Sequence, residues 1–96
     1  MTKKEAIKIF EEKKVRTAWD DETEEWYFSV IDVIDILTDS SNPRRYWSDL
    51  KSKLAKEGSQ LYAKIVQLKM LSSDGKMRLT DVMTTEQMFR LIQSIP

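Results

Sequence analysis

The apolar spacing of this chain changes period at Ser29, and that change constrains the fold more than any other feature. Upstream, apolar side chains alternate with others: Ile7 and Ile9 with lysine between them, Val15, Thr17 and Trp19 around Arg16 and Ala18, Trp26 and Phe28 around Tyr27. A period of two is that of a β-strand with one covered face. The polar runs Glu11–Lys14 and Asp20–Glu25 serve as turns. Pairing across the second run sets Trp19 opposite Trp26 and Thr17 opposite Phe28, an aromatic cross-strand pair whose tryptophans are expected to belong to the core. Downstream, Val30, Val33, Ile34 and Leu37 recur at i, i+3, i+4 and i+7, the stripe of a helix that turns Asp32 and Asp35 outward. Ser29 is placed to cap it, with Asp32 able to return a bond to the cap N–H, and an acidic first turn suits the helix dipole.

The first helix should end near Thr38, and Asp39–Asn42 forms a polar turn. Asn42-Pro43 then starts a second helix, with Asn as N-cap and Pro at the first helical position, where its missing N–H costs nothing. Gly58 stops that helix after Glu57. At 100° per residue Tyr46, Trp47, Leu50 and Leu54 share one sector, while Arg44, Arg45, Ser48, Lys51, Ser52 and Lys56 lie opposite. The aromatics face in and the cations face out. After a connecting stretch, Gly58–Lys64, comes a hairpin. Val66, Leu68 and Met70 are expected on one face, "SSDG" (Ser72–Gly75) is the turn, and Met77 and Leu79 return on that face. Gln67, Lys69, Lys76, Arg78 and Thr80 are expected on the other. A last helix, Thr84 to Ser94, has a capping box from Thr84 to Gln87 and the stripe Met88, Leu91, Ile92, Ile95. The expected class is α+β: a small antiparallel sheet with a helix-turn-helix-like pair, a β-hairpin wing and a C-terminal helix.

A chain of 96 residues, 41% hydrophobic and 33% charged, suffices for a single domain over 1–96 and is too short for two. Nowhere do about 18 apolar residues run together, and the N-terminus lacks the apolar block of a signal peptide, so a soluble cytoplasmic protein without membrane contact is expected. There is no cysteine and no histidine, which removes disulfides, thiolate metal sites and the commonest proton shuttle. No cofactor or metal ligand set is read, and no catalysis is expected. Ser48-x-x-Lys51 matches the SxxK of serine acyl-enzymes, but no companion motif or glycine-rich oxyanion loop accompanies it. Asp32 and Asp35 share one short helix, Glu12-x-Lys14 lies in a turn, and Asp20–Glu25 reads as a solvated acidic turn. Two-metal chemistry needs carboxylates from several elements.

Net charge is zero, yet it is unevenly spread. Residues 1–29 carry −2 and residues 30–42 carry −3, whereas residues 43–64 carry +4, with six basic side chains against two acidic. Such asymmetry points to an anionic partner. Two helices joined by a short turn, the second basic at its N-terminal end, form the arrangement that delivers a recognition helix to the major groove. Helix N–H groups there can add phosphate contacts. The candidate DNA contacts are therefore Arg44, Arg45, Ser48, Lys51 and Ser52 on the helix, with Lys69, Lys76 and Arg78 on the wing. Cations neutralising phosphates make binding salt-dependent, and bidentate arginine pairing to guanine supplies discrimination.

"WYFSVIDVIDILTDSSNPRRYWSDLKSKL", followed by "KIVQLKM", "DGKMRLTDV" and "RLIQSIP", resembles the Bro-N domain of prophage antirepressors, especially the branch of damage-inducible protein D-like bacterial proteins. The resemblance covers Phe10 to Pro96. It rests most on the aromatic-Ser-x-x-Asp-Val start and the Asn-Pro-Arg helix start. It implies a DNA-binding N-terminal module, without catalysis, fused in longer proteins to a variable C-terminal region, and the ending "QSIP" fits an excised module. Family members often end the first helix in "LG" and place a histidine late in the second; here Thr38 follows Leu37 and histidine is absent. The expected partner is double-stranded DNA. The alternative is a protein-interaction module that captures a phage repressor or other regulatory protein without touching DNA, since zero net charge with an acidic front also suits protein contacts. A two-fold homodimer is compatible with either.

Overall fold

Ser29 ends one strand and caps the next helix, so the change of period seen in the sequence is a real junction between sheet and helices. The computed structural model describes residues 15–38 and 40–95. The strand expected at Ile7–Ile9 and the turn at Glu11–Lys14 lie outside the described residues. Within them the chain runs β1 (Thr17–Asp20), β2 (Glu25–Ser29), α1 (Val30–Leu37), α2 (Pro43–Lys56), α3 (Gln60–Ala63), β3 (Val66–Leu71), β4 (Met77–Thr84) and α4 (Thr85–Ser94). The four strands form an antiparallel sheet in the order β1-β2-β4-β3, and the class is α+β as expected.

Across β1 and β2, Trp19 pairs with Trp26 and Thr17 with Phe28, the register read from the acidic turn. The tryptophans are not core, which corrects the sequence reading: Trp19 is 47% and Trp26 52% exposed. The alternation that carries Phe28 and Met83 under the helices carries this pair one step along the ribbon, beyond that cover. Phe28 and Met83 meet Val30, Val33 and Ile34 of α1, Trp47 and Leu54 of α2, Leu61 of α3 and Met88 and Leu91 of α4 in the main core. On the opposite face a smaller cluster gathers Tyr27, Met70 and Val82, flanked by Ala18 and Leu68.

The helix ends follow their sequence signals. Ser29 Oγ accepts the Asp32 N–H at 3.4 Å, and Asn42 Oδ1 accepts the Arg45 N–H at 3.2 Å behind Pro43. Gly58 terminates α2 at φ 66°, a left-handed value that L side chains rarely adopt. At α4, Gln87 Oε1 accepts the Thr84 N–H at 3.4 Å, the return half of the expected capping box. One cap differs. The Ser29 N–H donates to the Arg16 carbonyl at 3.0 Å, so the Asp32 carboxylate has no cap N–H to take and turns to Arg16 instead. The stretch after Gly58 is also more than a connection: Ser59 Oγ accepts the Leu61 N–H at 3.1 Å, starting the single turn α3 that buries Leu61.

The hairpin departs from expectation in its facing. Leu71 pairs with Met77, Met70 with Arg78, Lys69 with Leu79 and Leu68 with Thr80. Ser72 N–H reaches the Lys76 carbonyl at 2.9 Å and Gly75, at φ 82°, closes the turn on the Ser72 carbonyl, so the loop is Ser73-Asp74-Gly75 rather than the four residues of "SSDG". An odd loop moves every returning side chain to the other face. Met77 and Leu79 therefore share a face with Lys69 and Leu71, while Arg78 and Thr80 share one with Leu68 and Met70. Lys69 and Arg78, expected side by side, leave the sheet on opposite faces.

Candidate nucleic-acid interface

Asp81 organises the region where α2 crosses the hairpin. It sits in β4, 8% exposed, and a charge in that position is tolerated only if donors surround it. Three do. Trp47 Nε1–H donates to Oδ2 at 2.8 Å, Lys51 Nζ donates to the same oxygen at 2.8 Å, and Gln67 Nε2–H donates to Oδ1 at 3.0 Å. Burial alone would push the carboxyl up, but these bonds and the Lys51 charge outweigh it and hold Asp81 below its ordinary value. Lys51 Nζ also lies 5.7 Å from the Trp47 ring centroid. Lys51 stands on the cationic side of α2, as the helical period requires, yet its ammonium is turned onto the sheet.

Arg16 is the second organiser, and sequence reasoning passed over it. Its Nε–H and one terminal N–H grip Asp32 at 2.8 and 3.0 Å, its backbone N–H reaches the same carboxylate at 2.9 Å, and its other terminal nitrogen donates to the Leu71 carbonyl at 3.1 Å. The bidentate pair raises the guanidinium above its ordinary value, with the Asp32 hydrogen bond the largest cause. One side chain thus ties the segment just before β1 to the first turn of α1 and to the end of β3. Arg78, on the hairpin, donates Nε–H to Asp74 at 3.1 Å and makes a second bond to the same oxygen from its terminal nitrogen. That arginine draws the Asp74 carboxyl below its ordinary value.

Arg44, Ser48, Lys51 and Arg78 line one groove of 260 Å³ together with Arg16 and Asp81. Four cations stand there against one carboxylate. Lys69 lines the adjoining cleft, which Arg44, Arg16, Asp32 and Asp35 also border. Arg45, Ser52 and Lys76 are exposed and line neither. Among the described residues Arg44 and Arg45 form no ion pair, whereas Lys51 and Arg78 each have a carboxylate. To an anion the groove presents an uncommitted guanidinium from Arg44, a hydroxyl from Ser48, and from Arg78 a charge shared with Asp74.

The model of the BRO family N-terminal domain, Bro-N, matches residues 14–96. The chain belongs to this family. The match takes in β1 to α4, so the sheet, the helix pair and the groove all fall within Bro-N. No curated protein and no solved structure shows significant similarity to the chain. Bro-N membership is consistent with a regulatory module of the prophage-antirepressor kind. Among the described residues no helix is long and apolar enough to cross a membrane.

The residues missed in the sequence share one property. Arg16, Gln67 and Asp81 act through partners 13 to 55 positions away, as the Arg16–Ser29 and Arg16–Leu71 bonds show. One signal existed for Asp81: a carboxylate between Leu79 and the buried Val82 and Met83 must find donors or be exposed.

Proposed function

We propose that this Bro-N domain binds double-stranded DNA, with the N-terminal half of α2 and the β3–β4 hairpin astride the phosphate backbone. The observation that carries the reading is the groove in which Arg44, Ser48, Lys51 and Arg78 come together from two elements. Arg44 and Arg45 are the contacts of first importance, because neither is committed to a carboxylate among the described residues. Lys51 contributes charge from a fixed position. Lys69, reached across the adjoining cleft, and the exposed Lys76, Arg45 and Ser52 extend the surface around this centre. No chemistry on the nucleic acid is part of this reading.

The test is fluorescence anisotropy of a labelled mixed-sequence duplex at several salt concentrations. Removing one cation from a phosphate lowers the slope of log affinity against log salt by about 0.9. Arg44→Glu with Arg45→Glu should therefore abolish binding at low salt, and Arg44→Ala alone should reduce the slope by about one. Unchanged low-salt affinity in the double variant refutes the reading.

A second reading has its own support. Leu71, Met77 and Leu79, 59%, 59% and 63% exposed, share one face of the hairpin, an apolar surface suited to a regulatory protein such as a repressor. Leu79 also lines the cationic groove, so the separating variant leaves it and every charge in place: Leu71→Ser with Met77→Ser should spare duplex binding if DNA is the partner of the groove, and should abolish repressor capture if the apolar face is the working surface.

A further inference from the structure

Trp19 and Trp26 border neither groove and stand outside the core. Their rings meet edge to face across β1 and β2, centroids 5.2 Å apart and planes at 60°. Half of each indole is open to solvent. Two contiguous indoles on a surface bring large apolar area and π-faces to a contact while losing little side-chain freedom on binding. The same ribbon ends in the turn 21–24, and carboxylates occupy positions 20, 21, 22, 24 and 25. Among the described residues no lysine or arginine forms an ion pair with any of the five. Trp19 Nε1–H donates to Asp21 Oδ1 at 2.7 Å, which fixes the indole against the acidic turn and orients its face.

The indole faces and the carboxylates call for the same occupant. A cationic side chain is attracted by the π-cloud and by the carboxylates, and its aliphatic stem covers apolar ring surface. A polyanion meets the wrong sign here. We infer that the Trp19–Trp26 ribbon end docks a lysine- or arginine-bearing segment of a partner protein. This surface is separate from the cationic groove, and the inference does not depend on what the groove binds.

The experiment follows the indole N–H signals of the intact, nitrogen-15-labelled chain during titration with a capped hexapeptide of alternating arginine and lysine. The chain has three tryptophans, and the third, Trp47, is 2% exposed and bonded to Asp81, which makes it an internal reference for folding. The Trp19 and Trp26 signals should move saturably while that of Trp47 stays. Glu22→Gln with Glu24→Gln, and separately Trp26→Leu, should each weaken the peptide by about fivefold, the scale of one exposed cation–π or short-range charge contact. A peptide of glutamates and a DNA duplex should leave both signals in place. Four outcomes overturn the inference: no movement, equal movement with the glutamate peptide, undiminished affinity in Trp26→Leu with Trp47 unmoved, or movement on dilution of the chain alone, which would make a second copy the occupant.

Discussion

Replacing Asp81 by alanine tests whether the buried carboxylate holds α2 on the sheet. The variant leaves the Trp47 indole N–H, in a side chain 2% exposed, without an acceptor, and a stranded buried donor costs about 1–3 kcal/mol. Loss of the Lys51 ion pair adds about 0–1 kcal/mol, because the Lys51 side chain is 36% exposed and its ammonium can turn to water. Gln67 is exposed and adds nothing. The expected cost is about 1–4 kcal/mol, a large part of the roughly 5–14 kcal/mol that a domain of this length possesses. Urea unfolding at pH 7 measures it, and the melting temperature should fall by about 4–8 °C for each kcal/mol lost. The sign with pH follows from the carboxyl being held below its ordinary value in the folded state. The charge-dependent part of its contribution is complete above the unfolded value of about 3.9 and is lost as pH falls through the folded value, so the gap between the native chain and the variant should narrow only below about pH 4, while the Trp47 bond, which a protonated carboxyl still accepts, keeps the rest. Asp81→Asn provides the control: it keeps an oxygen for the Trp47 N–H while removing the charge, and should cost less than the alanine variant. A loss below about 1 kcal/mol for Asp81→Ala, or an equal loss for Asp81→Asn, would refute the assignment of the energy to the Trp47 bond.

Arg16→Met should destabilise by about 1–3 kcal/mol, leaving the half-buried Asp32 without its bidentate partner, and amide exchange should quicken around Leu71, whose carbonyl loses its donor. Glu24 holds φ 54° in the β1–β2 turn, so Glu24→Gly should raise stability by about 0.5–1 kcal/mol in the same urea assay. Gly75→Ala, at φ 82° in the three-residue loop, should cost about 1 kcal/mol although nothing lies within 4 Å of the added carbon, the penalty being that of the backbone conformation.

What the sequence made legible was local. The Asn42-Pro43 start, the Gly58 stop, the Ser29 cap and the Trp19–Trp26 register each depend on residues within a few positions, and each stands in the structure. The hairpin facing failed for a countable reason: reading "SSDG" as the whole loop left Lys76 in the wrong place, and a single residue reverses the facing of Met77, Arg78 and Leu79. The tryptophans failed for another. Alternation assigns a face of the sheet, but whether a helix covers that face so far along the ribbon is decided by where α1, α2 and α4 lie. Of the candidate contacts, the helical period put Arg44, Ser48 and Lys51 on one side of α2, and they do line one groove. It could not show that Lys51 turns back to Asp81 or that Arg78 is held by Asp74, since those pairs depend on hairpin geometry.

The ion pairs sort the basic residues into two kinds, and that sorting decides how the groove would meet a polyanion. Arg16 and Lys51 hold carboxylates that the fold itself requires, so a phosphate approaching them competes with Asp32 and Asp81 and gains little. The Arg78–Asp74 pair is exposed, screened and local to the hairpin, and can open at small cost. Arg44, Arg45, Lys69 and Lys76 have nothing to surrender among the described residues. Counterion release should accordingly be dominated by these four, with Arg78 next and Lys51 last. Lys51→Met should then leave the salt slope unchanged, whereas Arg44→Ala lowers it by about 0.9. A fall of about 0.9 in the Lys51 variant as well would mean that Lys51 binds a phosphate as fully as Arg44, and the division between structural and contacting cations would be wrong.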